Sequence, residues 1–154
     1  MLRQRQRQRR RRVLRPVSMS AVAGSRASIT DVIIDCEDPE RLAAFWAAVL
    51  DRPVSGRQGP YVWLARENGL GVGFQRVSEP KRGKNRVHID VAFADVPAAV
   101  RTVEGLGGRR VGGYEDCGFL VMADPEGNEF CLIPDVPFDL DAEGCTTYLR
   151  GLSI

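Results

Sequence analysis

DVIIDCEDPERLAAFWAAVL, residues 31 to 50, changes its period halfway along, and that change decides the fold. The first six residues alternate as a strand does, with Val32, Ile34 and Cys36 on one side and Asp31, Ile33 and Asp35 on the other. Asp38 then offers a side-chain oxygen to a helix N-terminus, Pro39 fits the first turn, and Leu42, Phe45, Trp46 and Val49 make one apolar stripe. The plan recurs in HIDVAFADVPAAVRTVEGLG, residues 88 to 107, at an offset of 57. In this copy Val87, Ile89, Val91 and Phe93 share the apolar face, and Asp95 caps a helix with Pro97 in its first turn. Val96, Val100, Val103 and Leu106 form the stripe that Gly107 and Gly108 end. A strand-plus-helix unit is therefore used twice.

Short alternating segments follow each helix. In the first copy strands are expected around 52 to 57, in YVWLAR (61 to 66) and in LGVGFQRV (70 to 77), with Gly59-Pro60 and Asn68-Gly69 as turns. The second copy supplies RRVGGY, GFLVMAD (118 to 124) and NEFCLIP (128 to 134), with DPEG (124 to 127) as a turn. The fold class that follows is α+β, with paired βαβββ modules whose sheets curve into a cupped mixed sheet. Module one spans 28 to 77 and module two 86 to 134, joined by a linker at 78 to 85 within a domain covering 27 to 134. A tail occupies 135 to 154, and its short apolar segments suit packing on a sheet edge or a partner.

Alternation assigns the side chains away from the helices to a polar wall. Asp31 and Asp35 come from the first strand, Gln75 from the last strand of module one, and His88 and Asp90 from the first strand of module two. Glu129 and Cys131 complete it, and Trp63, two residues from Tyr61, is either core or an aromatic wall for a flat ligand. His88 is the only histidine. Its unperturbed pKa near neutrality makes it the candidate acid or base, with Asp90 or Asp31 to orient it. GLGVG at 69 to 73 precedes no helix, so it reads as close strand packing or a pocket floor rather than a phosphate loop. EPKRGKNR at 79 to 86 reads as a solvated basic linker.

Composition bounds the rest. Residues 1 to 26 hold nine arginines and no acid, so the remainder carries 13 basic and 20 acidic residues and is acidic overall. The arm is low in complexity and is expected to be disordered, with Met19 as the expected true start of translation. Cys36, Cys117, Cys131 and Cys145 show no zinc-site spacing and are expected to be reduced thiols in a cytoplasmic protein. No run approaches the roughly 18 apolar residues of a membrane span.

The paired βαβββ plan, with DCEDPERLAAFW, FQRVSEPKRGKNRVHIDV and ADPEGNEFCLIP, resembles the vicinal oxygen chelate superfamily, in its glyoxalase-like branch related to bleomycin-resistance proteins. The resemblance covers about residues 28 to 134. It implies a cleft in which a divalent metal is held from the first and last strands of each module. Carried over by position, the ligands are Asp31, Gln75, His88 and Cys131, with FQ at 74 to 75 overlaid on FC at 130 to 131. It also implies a homodimer. Metal-using members generally present His or Gln at the first-strand positions and Glu at the last, and this chain keeps only His88. A neutral amide and a thiol make a poor Lewis-acid site for enediolate or catecholate chemistry, which points to a pocket without a metal. The expected function is binding of a small metabolite or drug in a cupped cleft with a degenerate metal site. The alternatives are a metal-dependent lyase, isomerase or dioxygenase of the superfamily, and a nucleic-acid-associated protein acting through the arginine arm, against which the acidic body argues.

Overall fold

The structure is a computed structural model that describes residues 28–114, 119–140 and 146–148. The arginine-rich arm, and with it the expectation about Met19, lies outside the described residues, as do Cys117 and Cys145.

Module one runs β1 (Asp31–Cys36), α1 (Pro39–Leu50), β2 (Val54–Gln58), β3 (Tyr61–Leu64) and β4 (Gly71–Arg76). Module two repeats it as β5 (Asp90–Phe93), α2 (Val96–Gly105), β6 (Arg109–Tyr114), β7 (Phe119–Ala123) and β8 (Glu129–Pro134). Each makes a four-stranded sheet of matching order, β1-β4-β3-β2 and β5-β8-β7-β6, with the first and last strands parallel and the remaining pairs antiparallel. The two mixed sheets form an open cup with few helices, as the repeat required.

The helices start where the sequence places caps. The Asp38 carboxylate accepts from the backbone N–H of Glu40 and Arg41, and Asp95 accepts from Ala98 N–H at 2.8 Å. Leu42, Phe45, Trp46 and Val49 are all buried, whereas α2 buries Val96, Ala99 and Val103 and leaves Leu106 at its C-cap largely exposed. Asn68 and Gly69 take positive φ values of 49° and 83° between β3 and β4, the conformation a tight turn demands.

Two expectations need correction. The ladder of β5 starts at Asp90, so His88 sits just outside the strand. The hydrogen bond from Cys131 N–H to Ile89 C=O carries the parallel pairing no further than Ile89. Val87, expected on the core face, is 78% exposed, because the chain leaves the sheet before reaching it; Val91 and Phe93 do pack on the core. The tail also forms a β-hairpin of its own, β9 (Phe138–Leu140) against β10 (Thr146–Tyr148).

What joins the modules is a buried carboxylate. Asp124 is 2% exposed and opens the turn before β8. Its Oδ1 accepts from the backbone N–H groups of Glu126 and Asn128, and the Asn128 amide adds two more hydrogen bonds. Oδ2 also accepts the indole N–H of Trp46 on α1 at 3.3 Å. Trp46 in turn packs on Phe130 of β8 with ring centroids 4.8 Å apart, so the core is continuous across the modules. The turn then aims Glu126 back at module one, where its carboxylate accepts from the backbone N–H of Glu37 and Asp38, both at 2.7 Å. Asp124→Ala orphans the Trp46 indole and two turn amides in the interior and should cost roughly 3 kcal/mol by urea unfolding. Asp124→Asn, which keeps the shape and one acceptor, should lose clearly less.

Candidate functional site

The open face of module one is built over glycines. Gly71 and Gly73 of β4 lie opposite Asp31 and Ile33 of β1 and, for Gly73, Trp63 of β3. A Cβ on Gly71 would stand 2.2 Å from Asp31 Oδ1, and one on Gly73 would stand 2.6 Å from the Trp63 ring and 3.0 Å from Ile33. A side chain at either glycine would therefore have to displace the side chain that lies on it. Trp63 spreads flat across Gly73, half-buried, and Tyr61 continues the layer at a centroid distance of 5.8 Å and an interplanar angle of 21°. Ile33 beside them remains 39% exposed. The result is an aromatic floor.

Asp31 is committed at one end of that floor. Its carboxylate takes both oxygens' worth of Arg66, at 2.7 and 2.9 Å, while Arg66 also donates to the carbonyls of Thr30 and Gly69. The Arg66 guanidinium holds the Asp31 carboxyl below the usual carboxylate range, with Thr30 helping. Gln75 lies opposite Asp35 and Tyr61, four residues along the strand from the level of Asp31. At about 3.3 Å per residue that is roughly 13 Å, so Asp31 and Gln75 do not share a centre.

Module two gathers a different group. His88 Nδ1 lies 3.2 Å from Asp90 Oδ1 and 3.6 Å from Cys131 Sγ, and ligand atoms of all three fall within 4.8 Å of one another. Cys131 pairs with Asp90 across the parallel ladder and is 4% exposed. Burial first, then the negative charge of Asp90, pushes its thiol up to about 11. Glu129 is taken up by the connection between the modules. Its Oε2 accepts from Asn85 N–H at 2.9 Å and from Lys81 Nζ at 3.3 Å, and the first of these holds its pKa down.

At the seam between the sheets a cavity of about 230 Å³ is lined by Val32, Ile33 and Asp35 on one side and by Val87, His88 and Glu129 on the other. Asp35 and His88 thus face a common space, and Asp31 is outside its lining. A larger hollow of about 890 Å³ lies between the start of α1, the Glu79–Lys81 segment and the Asp124 turn. Several of its polar groups are already engaged: Arg76 donates to Glu37 C=O, Glu126 accepts from α1's approach, and Lys81 donates to Glu129. Arg66 and Glu126 were not anticipated from the sequence. An arginine just before an Asn-Gly turn was the available signal for the first.

Residues 31–133 match the family model of the glyoxalase-like domain. The chain belongs to that family. Membership in the vicinal oxygen chelate superfamily follows, and solved structures agree in fold. A possible glyoxalase from Bacillus cereus is 13% identical with a TM-score of 0.57, covering 69% of this chain and 97% of that one. A glyoxalase/bleomycin resistance protein/dioxygenase family enzyme from Burkholderia phytofirmans PsJN is 18% identical with a TM-score of 0.59, covering 70% and 98%. The trypanothione-dependent glyoxalase I of Leishmania major is 17% identical with a TM-score of 0.56, covering 71% and 88%. No curated protein is significantly similar in sequence.

Within this glyoxalase-like chain the register revises the ligand positions carried over from the family. At an offset of 57, Asp90 is the counterpart of Ile33. Asp90 pairs with Cys131, and Ile33 pairs with Gly73. The counterpart of Cys131 is therefore Gly73, not Gln75, because matching FQ to FC aligns two phenylalanines rather than two ladder positions. A glycine under a tryptophan offers no ligand, and Asp31 is already neutralised. The four-position metal centre that the family implies does not fit these residues.

Two outcomes follow. Arg66→Gln should return the Asp31 carboxyl toward its ordinary pKa, read by carboxyl carbon NMR titration. In the wild type the ion pair's contribution is present above the ordinary carboxylate range and is lost as pH falls through the lowered value. Cys131, at about 11, and Cys36, whose thiol burial pushes up to about 12, should stay unlabelled by iodoacetamide under native conditions near neutral pH, checked by peptide mass spectrometry.

Proposed function

We propose that this glyoxalase-like protein binds a flat small molecule in its cleft, stacked on the Tyr61–Trp63 floor. The observation that carries the reading is the replacement of a ligand position by Gly73 with Trp63 laid across it. Aromatic rings stacked on a sheet offer a large rigid surface at low entropic cost, and offset stacking adds roughly 0.5–1.5 kcal/mol beyond the area it buries. Ile33 extends the floor toward the seam, and the seam cavity brings Asp35 and His88 to its edge as polar groups that orient a ligand. Binding on this floor passes through no metal. His88 is the acid or base on which any catalytic variant of the reading depends, and the homodimer expected from the superfamily would cover the open face.

The test uses the two tryptophans. Trp46 is 1% exposed, so quenching by an added compound reports Trp63. In a thermal-shift and fluorescence screen of planar aromatic and heteroaromatic compounds, a binder should quench Trp63 and raise the unfolding midpoint with chelator present. Trp63→Ala should weaken that binder about tenfold, the equivalent of about 1.4 kcal/mol. Gly73→Ala, which lifts the ring, should weaken it too. Unchanged affinity in Trp63→Ala would remove the floor from the binding site.

A further inference from the structure

The open face of module one keeps one carboxylate without a partner among the described residues. Asp31 is held by Arg66, Glu129 by Lys81 and the Asn85 amide, and Asp90 by His88. Asp35 is exposed, lines both the seam cavity and the larger hollow, and makes no side-chain hydrogen bond or ion pair with any described residue. The cations that line the hollow with it are Arg41, Arg76 and Lys81. Of these, Arg76 donates to Glu37 C=O, and Lys81 donates to Gly83 C=O and to Glu129.

Strand register sets Asp35 beside the aromatic floor. Across the sheet Ile33, Gly73 and Trp63 make one row, and Asp35, Gln75 and Tyr61 make the next. Both rows lie on the face turned from the core, which the intervening Val62, Val72 and Phe74 fill. Such rows are about 6.6 Å apart along the strands, and neighbours within a row about 4.8 Å apart. The half-buried Gln75 side chain also makes no hydrogen bond to a described residue. A ring lying on Trp63 above Gly73 thus turns one edge toward a carboxylate and an amide standing side by side. They are within reach of an N–H on that edge and a hydrogen bond of about 2.9 Å.

We infer that the floor takes a planar nitrogen heterocycle of the amidine type, a ring with two parallel N–H donors on one edge, which Asp35 receives while Gln75 sets the ring's orientation. The inference rests on the proposed Tyr61–Trp63 floor and adds the chemistry of what lies on it. An ionised carboxylate has only acceptors, so the edge it meets must supply N–H groups, and its two oxygens suit two parallel donors as they suit a guanidinium. The Gln75 amide both accepts and donates, so it can meet a further N–H or a bare ring nitrogen. When the heterocycle is protonated, its charge is attracted by the Asp35 carboxylate at the edge and by the Trp63 face beneath. A hydrocarbon ring gains the stacking alone, and a ring carboxylate at that edge meets Asp35 as a like charge.

The experiment compares two probes of equal shape, 2-aminobenzimidazole and 2-methylbenzimidazole, by isothermal titration calorimetry with the full chain and chelator present. The amino probe should bind about tenfold tighter or more, because only it places two parallel N–H donors on one edge. Asp35→Asn should bring the two probes within about threefold of each other, with the unfolding midpoint of the variant checked alongside. Glu104→Gln removes an equal charge from an exposed position on α2 and should keep the preference within about twofold of the wild type's. Trp63→Ala should weaken both probes. Equal affinity of the two probes for the wild type, with both dependent on Trp63, overturns this inference and leaves the floor standing. A preference that survives Asp35→Asn, or that Glu104→Gln removes as fully, overturns it as well. Binding of neither probe removes the floor, and the inference with it.

Discussion

The buried carboxylate of Asp124 is the constraint from which the rest of the molecule takes its shape. A charge with 2% exposure is tolerable only when its lone pairs are filled, and here they are filled from both modules. The Asn128 amide and two turn N–H groups come from its own loop, and the Trp46 indole comes from α1. Because one anion must satisfy all of these, α1 cannot slide relative to β8 without leaving a buried donor unpaired. The same turn delivers Glu126 to the backbone of Glu37 and Asp38, which anchors the end of β1. The distance across the seam, and so the space that Asp35 and His88 share, is set by these hydrogen bonds rather than by strand pairing, since β1 and β5 belong to separate ladders.

The two modules differ most on the face turned away from the helices. Their helix-facing sides repeat the same physics, with capped helices laid on their sheets, and Trp46 of α1 reaches Phe130 of β8 to join the two cores. On the other face, corresponding ladder positions hold Gly73 in one module and Cys131 in the other. A glycine frees the sheet surface for a large ring, and a thiol offers a donor. These exclude each other at any single position, so the cleft has an aromatic half and a polar half.

Most of the architecture was legible in the sequence because it rests on local rules. Asp38 and Asp95 cap where expected, and Leu42, Phe45, Trp46 and Val49 are buried at helical spacing. RRVGGY is a strand over its full length. The errors came where a non-local choice overrode the pattern. Val87 continues the alternation of β5, but the ladder ends at Ile89 and nothing holds Val87 against the core. Gln75 follows a phenylalanine as Cys131 does, yet strand register is fixed by hydrogen bonding and not by which side chains look alike. The Asp31–Arg66 pair joins residues 35 apart in sequence, and the Asn-Gly turn beside Arg66 does not by itself name Asp31 as its partner. His88, Asp90 and Cys131 were all placed on the polar face, and the structure adds that they are neighbours there.

Electrostatics then shapes the surroundings of the proposed ligand floor. Several of its carboxylates are met locally: Asp31 by Arg66, Glu129 by Lys81 and the Asn85 amide, Asp90 by the His88 ring. Exposed pairs of this sort contribute little to stability, typically 0–1 kcal/mol each, so their consequence is for the field rather than for the fold. Arg66 is held at Asp31, where one terminal nitrogen donates to both carboxylate oxygens. Under the proposed reading, a planar ligand laid on Trp63 and Ile33 leaves the Asp31–Arg66 pair intact.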